Sequence, residues 1–360
     1  YPCRFHSNNT QNKMINFKNK SVVVLGLGIS GFYSAALLKK LGARVFVSDK
    51  NDNSKQKYFS YNLKKLSIDF ELGRHTKEII ERSDYLVLSP GLSLESEPVK
   101  WARNKNIQII GEMELGYQHC PSQIIAVTGS NGKTTVTTLI GRVLKEAGKN
   151  VFTLGNIGQP LCSCVDKMKE TDMVSLEVSS FQLETIKEFR PKISLILNFS
   201  PNHLDRYRNL GEYLEAKKRI FINQKKDDFV ILNYADSRLR SLVSDVKAKV
   251  VYFNDDEIHS DKNKFNANQL AVIKVAQIFN VGLDTCLKVF KEFKGIEHRM
   301  EYVLTLDGID FINDSKSTTP ESTIWALNNS IKPVILIAGG RDKGCDFKPI
   351  RNILKKKVKS

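Results

Sequence analysis

The sequence predicts an α/β protein built from three units in which parallel strands are covered by helices, the third unit being partial. Three observations lead there. Short β-branched runs alternate with helix-like stretches along the whole chain, and two strand-to-helix joints are rich in glycine. The length of 360 residues exceeds one compact core and suits two or three domains of ~100–200 residues.

The first unit opens with the apolar run Ser21–Leu25, the loop Gly26-Leu27-Gly28-Ile29-Ser30-Gly31 and a helix over 32–41 that Gly42 can cap. A strand over 43–48 then ends at Asp49, and apolar runs at Tyr85–Leu88 and 107–110 close the unit near residue 111. The second unit begins with a strand over 123–127, a glycine loop, and a helix from about 133 to 147 that Gly148 stops. Its later strands are expected at 151–154, Met173–Glu177, 193–198 and 229–232, with helices near 212–222 and 268–279. In the third unit, Asp307-Gly308 between two apolar runs signals a hairpin of Glu301–Leu306 with 309–312. Thr319-Pro320 reads as a helix N-cap and first helical position, and 333–338 as a buried strand. The expected domains are 14–111, 112–294 and 295–360. Residues ahead of Met14 are expected to be non-native, and the third unit to continue past the last residue.

Hydrophobic residues at 41% and charged residues at 26% describe a globular chain. No run approaches the ~18–20 apolar residues of a membrane span, and no signal-peptide pattern precedes the first strand, so a cytoplasmic protein without membrane contact is expected. Of the net charge of +16, nine charges lie in the first twenty and last ten residues. The excess is mainly lysine and lacks clustered arginine with aromatics, which argues against nucleic acid as a partner while suiting anionic small ligands. Six scattered cysteines offer no second pair at zinc-site spacing and read as reduced bystanders.

The first glycine loop can offer backbone N–H groups and a helix N-terminus to a phosphate, with Asp49 positioned for a ribose or base. The second is Thr128-Gly129-Ser130-Asn131-Gly132-Lys133-Thr134-Thr135, two residues shorter than the common phosphate loop. Its glycines let backbone wrap phosphates, Lys133 can neutralise β- and γ-phosphates, and the Thr134 hydroxyl can ligate magnesium. Glu177 ends a strand in the same unit, where a magnesium ligand belongs. His203 follows another strand, although a lone histidine has ordinary structural uses. Lys217, flanked by Lys218 and Arg219, has the pattern of a solvated helix face. In the third unit His298-Arg299, Asn313-Asp314-Ser315-Lys316-Ser317-Thr318 and Gly339-Gly340-Arg341-Asp342-Lys343 follow strand signals and suit a nucleotide and a carboxylate, with plain turn chemistry as the other reading.

Taken in order, these motifs resemble the Mur ligases, from about residue 22 to 347. The segments 129–135, 155–158, 177–183, 203–207 and 313–318 carry most of that likeness. Ser89-Pro90-Gly91 and Ser179-Ser180-Phe181-Gln182-Leu183 are nearest the D-glutamate-adding branch. The resemblance implies a Rossmann-like N-terminal domain, a central phosphate-loop ATPase domain and a truncated Rossmann-like C-terminal domain. It implies ATP-dependent ligation of D-glutamate to UDP-N-acetylmuramoyl-L-alanine through an acyl phosphate, in peptidoglycan synthesis, by a cytoplasmic monomer.

Carried over by position, the resemblance implies that Gly129, Ser130, Asn131, Gly132, Lys133, Thr134 and Thr135 hold ATP, with Asn263, Asn266, Arg299 and Asp314. Lys133, His203 and Lys217 would be catalytic. Thr134 and Glu177 would serve one magnesium, and His203 with Lys217 as its carbamate a second. Ser30, Asp49, Ser89 and Asn156 would meet the UDP-sugar, and Thr318 and Lys343 D-glutamate. Asn202 stands where the family often has an acid. The alternatives are another Mur or folate-extending ligase, a chain that binds nucleotide without ligating, and a nicotinamide oxidoreductase built on the first loop.

Overall fold

The computed structural model describes residues 14–201, 206–255, 265–340 and 345–359. The chain divides into two compact units. One contains residues up to 123 with 154–171 and 181–190, and the other 124–153, 172–180 and 191 onward.

The first unit carries a five-stranded sheet of β1 (Ser21–Leu25), β2 (Arg44–Asp49), β3 (Asp69–Leu72), β4 (Tyr85–Leu88) and β5 (Gln108–Gly111). The order is β3-β2-β1-β4-β5 and all four pairings are parallel. The β-branched run of β1 sits at the centre, covered on both faces, as a parallel strand must be. Val23 and Leu25 pack with Ile80, Leu86, Leu88, Val99 and Ala102. Each of the valine, leucine and isoleucine side chains contributes ~1.5–3 kcal/mol by burial. Chain order reverses on either side of β1, so the C-terminal edge beside it is a switch point where α/β sheets bind ligands.

The helix after β1 runs Ile29–Lys40, three residues earlier than expected, because Gly28 supplies the extended N-cap; Ser30 therefore lies in its first turn. Gly31 is required there, since a Cβ would stand 1.9 Å from the Gly26 carbonyl oxygen.

The second unit carries β6 (Gln123–Thr128), β7 (Val151–Gly155), β8 (Met173–Glu177), β9 (Ile193–Ile196), β10 (Phe229–Asn233) and β11 (Lys249–Phe253), in the order β11-β10-β9-β6-β8-β7. Helices Lys133–Glu146, Ala267–Ile278 and Leu283–Glu292 share one core with this sheet, in which Val136, Ile140 and Val143 join Ile125, Val127, Val272 and Val275. The expected hairpin forms as β12 (Glu301–Leu306) with β13 (Ile309–Asn313); Asp307 at φ 49° and Gly308 at φ 76° make its turn. Thr319 caps helix Pro320–Asn328 as expected.

The buried strand expected at 333–338 does not form. Val334 makes an isolated parallel bridge to Val358, and Ile335 and Ile337 are 67% and 96% exposed. A buried parallel strand needs partners beside it and cover on both faces, and among the described residues the run has one bridge.

Candidate functional site

The loop after β6 is closely constrained by its neighbours. Gly132 caps helix Lys133–Glu146 at φ 82°, and a Cβ there would stand 2.6 Å from Asn268 Oδ1. One asparagine side chain braces the loop twice: Asn198 Oδ1 accepts from Asn131 N at 2.8 Å, and Asn198 Nδ2 donates to Asn131 O at 3.0 Å. Ser130 Oγ donates to Ser200 O at 2.9 Å while accepting from Ser200 N at 2.9 Å. Lys133 Nζ curls back to the carbonyls of Gly129 and Ser130, 3.0 Å from each. The loop is thus preorganised, with its cation turned back onto the loop's own carbonyls.

Thr134 Oγ1 donates to Glu177 Oε2 at 2.8 Å, and Glu177 is 2% exposed at the end of β8. Two hard oxygen donors converging beside a phosphate loop fit a hard cation.

Lys217 departs from the solvated reading. It is 1% exposed, on helix Leu210–Lys218, with Nζ donating to Gly129 O at 3.0 Å and lying 4.5 Å from the Tyr213 ring centre. Burial, with Lys133 nearby as a second cause, pushes its amine well below the ordinary lysine value. Burial also pushes the Tyr213 phenol up to about 12. His203, Asn263 and Lys343 lie outside the described residues.

The other expected nucleotide contacts have protein partners of their own. Asn266 caps helix Ala267–Ile278 with a complete capping box, its Oδ1 accepting from Gln269 N at 3.1 Å. Asp314 Oδ1 accepts from Met300 N at 3.1 Å, its other oxygen takes the Ser317 hydroxyl, and Arg299 Nη2 reaches Lys316 O at 3.5 Å. Arg299 and Asp314 therefore share one loop cluster, while Thr318 is exposed beside it. Thr319 is expected from sequence only as a helix cap, yet its Oγ1 also lies 3.4 Å from Asn131 Oδ1 and ties this region to the phosphate loop. Asn198 and Asn268 were missed; each lies far along the chain from the loop it touches.

In the first unit, Ser89 Oγ donates to Gly26 O at 2.9 Å and so belongs to the first glycine loop. Asp49 is buried with its oxygens engaged: Oδ2 accepts from Leu27 N at 2.6 Å, and Oδ1 from Asn51 N at 2.8 Å and Asn51 Nδ2 at 3.1 Å. Its carboxylate shapes the loop. Asn156 is exposed in the turn after β7. The described cysteines are free thiols. Glu114, also missed, is fully buried and accepts backbone N–H groups of Lys187, Glu188 and Phe189 at 2.9, 3.0 and 3.1 Å.

The sequence matches two family models, the Mur ligase middle domain over residues 127–293 and the Mur ligase MurD-like N-terminal domain over 20–111. The UDP-N-acetylmuramoylalanine–D-glutamate ligase of Thermoanaerobacter sp. (strain X514) is 40% identical over 375 residues, spanning 96% of this chain and 82% of its own. Its counterpart in Caldanaerobacter subterraneus subsp. tengcongensis is 39% identical over 372 residues, with the same coverage of 96% and 82%. In fold, the chain is similar to the MurF ligase of Thermotoga maritima crystallised with ADP, at a TM-score of 0.54 and 15% identity over 95% of this chain and 79% of that one.

Proposed function

The chain belongs to the Mur ligase family, and from that premise we propose how its own residues carry out the reaction. It is an ATP-dependent amide ligase that joins D-glutamate to UDP-N-acetylmuramoyl-L-alanine in peptidoglycan precursor synthesis.

The chemistry is a carboxylate activation. An alanyl carboxylate oxygen attacks the γ-phosphorus of ATP, the bond to the β-phosphate oxygen breaks, and ADP leaves. The free amine of D-glutamate attacks the acyl phosphate carbon; the tetrahedral intermediate then expels phosphate, and the nitrogen gives up its second proton to solvent. Two anions must meet in the first step, so fixed positive charge and N–H donors offset their repulsion.

The observation that carries this reading is the braced loop Gly129–Thr135 with a lysine over it and Glu177 behind it. ATP would displace Lys133 Nζ from the Gly129 and Ser130 carbonyls, releasing it to pair with the transferred phosphate. Ser130, Asn131, Gly132 and Thr135 would supply the rest of the cradle. Thr134 and Glu177 would hold a magnesium ion, which offsets phosphate charge. A second ion is assigned to His203 and Lys217. As an ammonium Lys217 cannot ligate a cation, but as a carbamate it presents oxygens, and its neutral buried amine is the form that reacts with CO2. Asn263, Asn266, Arg299 and Asp314 are assigned to the nucleotide, and Thr318 and Lys343 to D-glutamate. Ser30, Ser89 and Asn156 are assigned to the UDP-sugar, with Asp49 acting through the loop that it braces.

On this assignment, residues 14–111 bind the UDP-sugar, 112–294 ATP and 295–360 the amino acid, in a monomer acting in the cytoplasm. Among the described residues, no helix is long and apolar enough to cross a membrane. The acyl phosphate is tested by labelling the alanyl carboxylate with 18O. One labelled oxygen should appear in the released phosphate, and phosphate free of label would exclude this route.

A further inference from the structure

The Ser48 hydroxyl, fully buried in β2, touches two neighbours that decide where its proton goes. Its Oγ lies 2.8 Å from Glu71 Oε1 and 2.7 Å from His75 Nδ1. Glu71 Oε1 also accepts from Thr76 N at 2.8 Å, Oε2 accepts from Thr76 Oγ1 at 2.5 Å, and Arg74 Nε stands 3.5 Å away. Burial opposes ionisation of Glu71, but these hydrogen bonds and Arg74 outweigh it and hold the carboxyl below its ordinary value. An ionised carboxylate only accepts, so the Ser48 O–H donates to it. The competing acceptor, Arg74 O, is farther at 3.4 Å.

The Ser48 oxygen is then left to accept, and the group facing it is His75 Nδ1, which must carry the ring proton. Burial lowers the basicity of His75; Glu71 and Asp49 oppose that shift and Lys50 adds to it, and the net direction is downward, toward a neutral ring. A neutral ring with its proton on Nδ1 has a lone pair on Nε2. No protein group among the described residues hydrogen-bonds Nε2, and that atom is open to solvent.

The position is as informative as the tautomer. Ser48 pairs with Glu71 and Asp49 with Leu72 across β2 and β3, so His75 lies just beyond the strand ends on the edge that carries the first glycine loop. Asp49, the acid expected to read the nucleoside, is engaged by Leu27 and Asn51. His75 offers the acceptor that Asp49 cannot.

We propose that His75 Nε2 accepts a hydrogen bond from the uridine of the UDP-sugar, given by uracil N3–H or a ribose hydroxyl, and that His75 is a specificity-determining residue of this site. The proposal rests on the UDP-sugar reading of the first glycine loop.

The test titrates UMP, N3-methyl-UMP and 2′- and 3′-deoxy-UMP into the full chain, its His75→Leu variant and its His75→Gln variant, reading affinity by calorimetry. UMP should bind the parent chain and lose about ten- to hundredfold in His75→Leu, the size expected when a desolvated donor is left without its partner. His75→Gln, which can present Oε1 as an acceptor, should recover most of the loss. In turnover, His75→Leu should raise KM for the UDP-sugar while kcat and the KM for ATP hold, which a misfolded variant would not do. Weak binding of N3-methyl-UMP identifies the uracil as donor; weak binding of a deoxy analogue identifies the ribose. Equal UMP affinity in parent and His75→Leu, or full affinity for every analogue, would overturn the proposal. No UMP binding by the parent chain would instead overturn the underlying UDP-sugar reading, and the proposal with it.

Discussion

Lys217 Nζ sits 3.0 Å from the carbonyl oxygen of Gly129, the first glycine of the phosphate loop, although 88 positions separate the two residues. A fully buried lysine at that point has no structural necessity, since a leucine would fill the volume without the desolvation cost. Its presence there is most economically explained by chemistry on the amine.

The carbamate is the first prediction. With 13C-bicarbonate the protein should show a carbamate carbon signal that Lys217→Ala lacks, the new N–C bond forming as nitrogen loses a proton. Lys217→Ala should lose at least ~10²-fold in kcat, and high bicarbonate should not restore it. Full activity in that variant would sink the carbamate assignment.

The depressed amine also sets a pH dependence of stability. Between its lowered folded value and the ordinary lysine value of ~10.4, the unfolded chain holds a proton that the folded chain does not. Stability therefore rises with pH through that window, and at neutral pH the buried amine is a net cost. In bicarbonate-free buffer Lys217→Met should have a higher Tm at pH 7 than the parent, and a smaller rise in Tm toward pH 10. Thermal melts across that range check the sign, and a lower Tm at pH 7 would count against it.

Glu177→Gln keeps the volume and leaves an acceptor for the Thr134 hydroxyl, now 2.8 Å from the carboxylate, but removes the charge. The half-saturating magnesium concentration should rise by about tenfold or more, with the UDP-sugar KM unmoved. An unchanged magnesium titration would remove Glu177 from the metal site.

Thr319 both caps helix Pro320–Asn328 and reaches Asn131 in the phosphate loop at 3.4 Å. Thr319→Ala should cost about 0.5–2 kcal/mol in urea unfolding and raise the KM for D-glutamate. Thr319→Ser, which retains the hydroxyl, should recover both, and failure of that rescue would show that the methyl group matters more than the hydrogen bonds.

The parts of the site that were legible in the sequence are those where sterics or charge leave few alternatives. Gly132 must take φ 82° with Asn268 against it, and a lysine and a hydroxyl follow directly. Lys217 was illegible because its burial depends on Gly129 and Tyr213, while Lys218 and Arg219 advertise a solvated face. Asp49 is read as a ribose or base contact from its place after a strand, and Asn266 as a nucleotide contact from the resemblance; the loop-bracing and helix-capping partners that the structure adds to them depend on the fold and are not legible from residue type. Strand β3 was missed because Asp69-Phe70-Glu71-Leu72 is short and half polar, and pairing with β2 makes it a strand. The run at 333–338 failed in the opposite sense: strong apolar propensity without the neighbours that turn it into a sheet.

The most direct measurement is phosphate release from ATP with UDP-N-acetylmuramoyl-L-alanine present and a panel of amino acids supplied one at a time. Release should be saturable with D-glutamate and dependent on the UDP-sugar, and should stay at background with L-glutamate, L-alanine, L-lysine, diaminopimelate or D-alanyl-D-alanine. Release driven by another member of that panel, or hydrolysis indifferent to both the sugar and the amino acid, would contradict this reading.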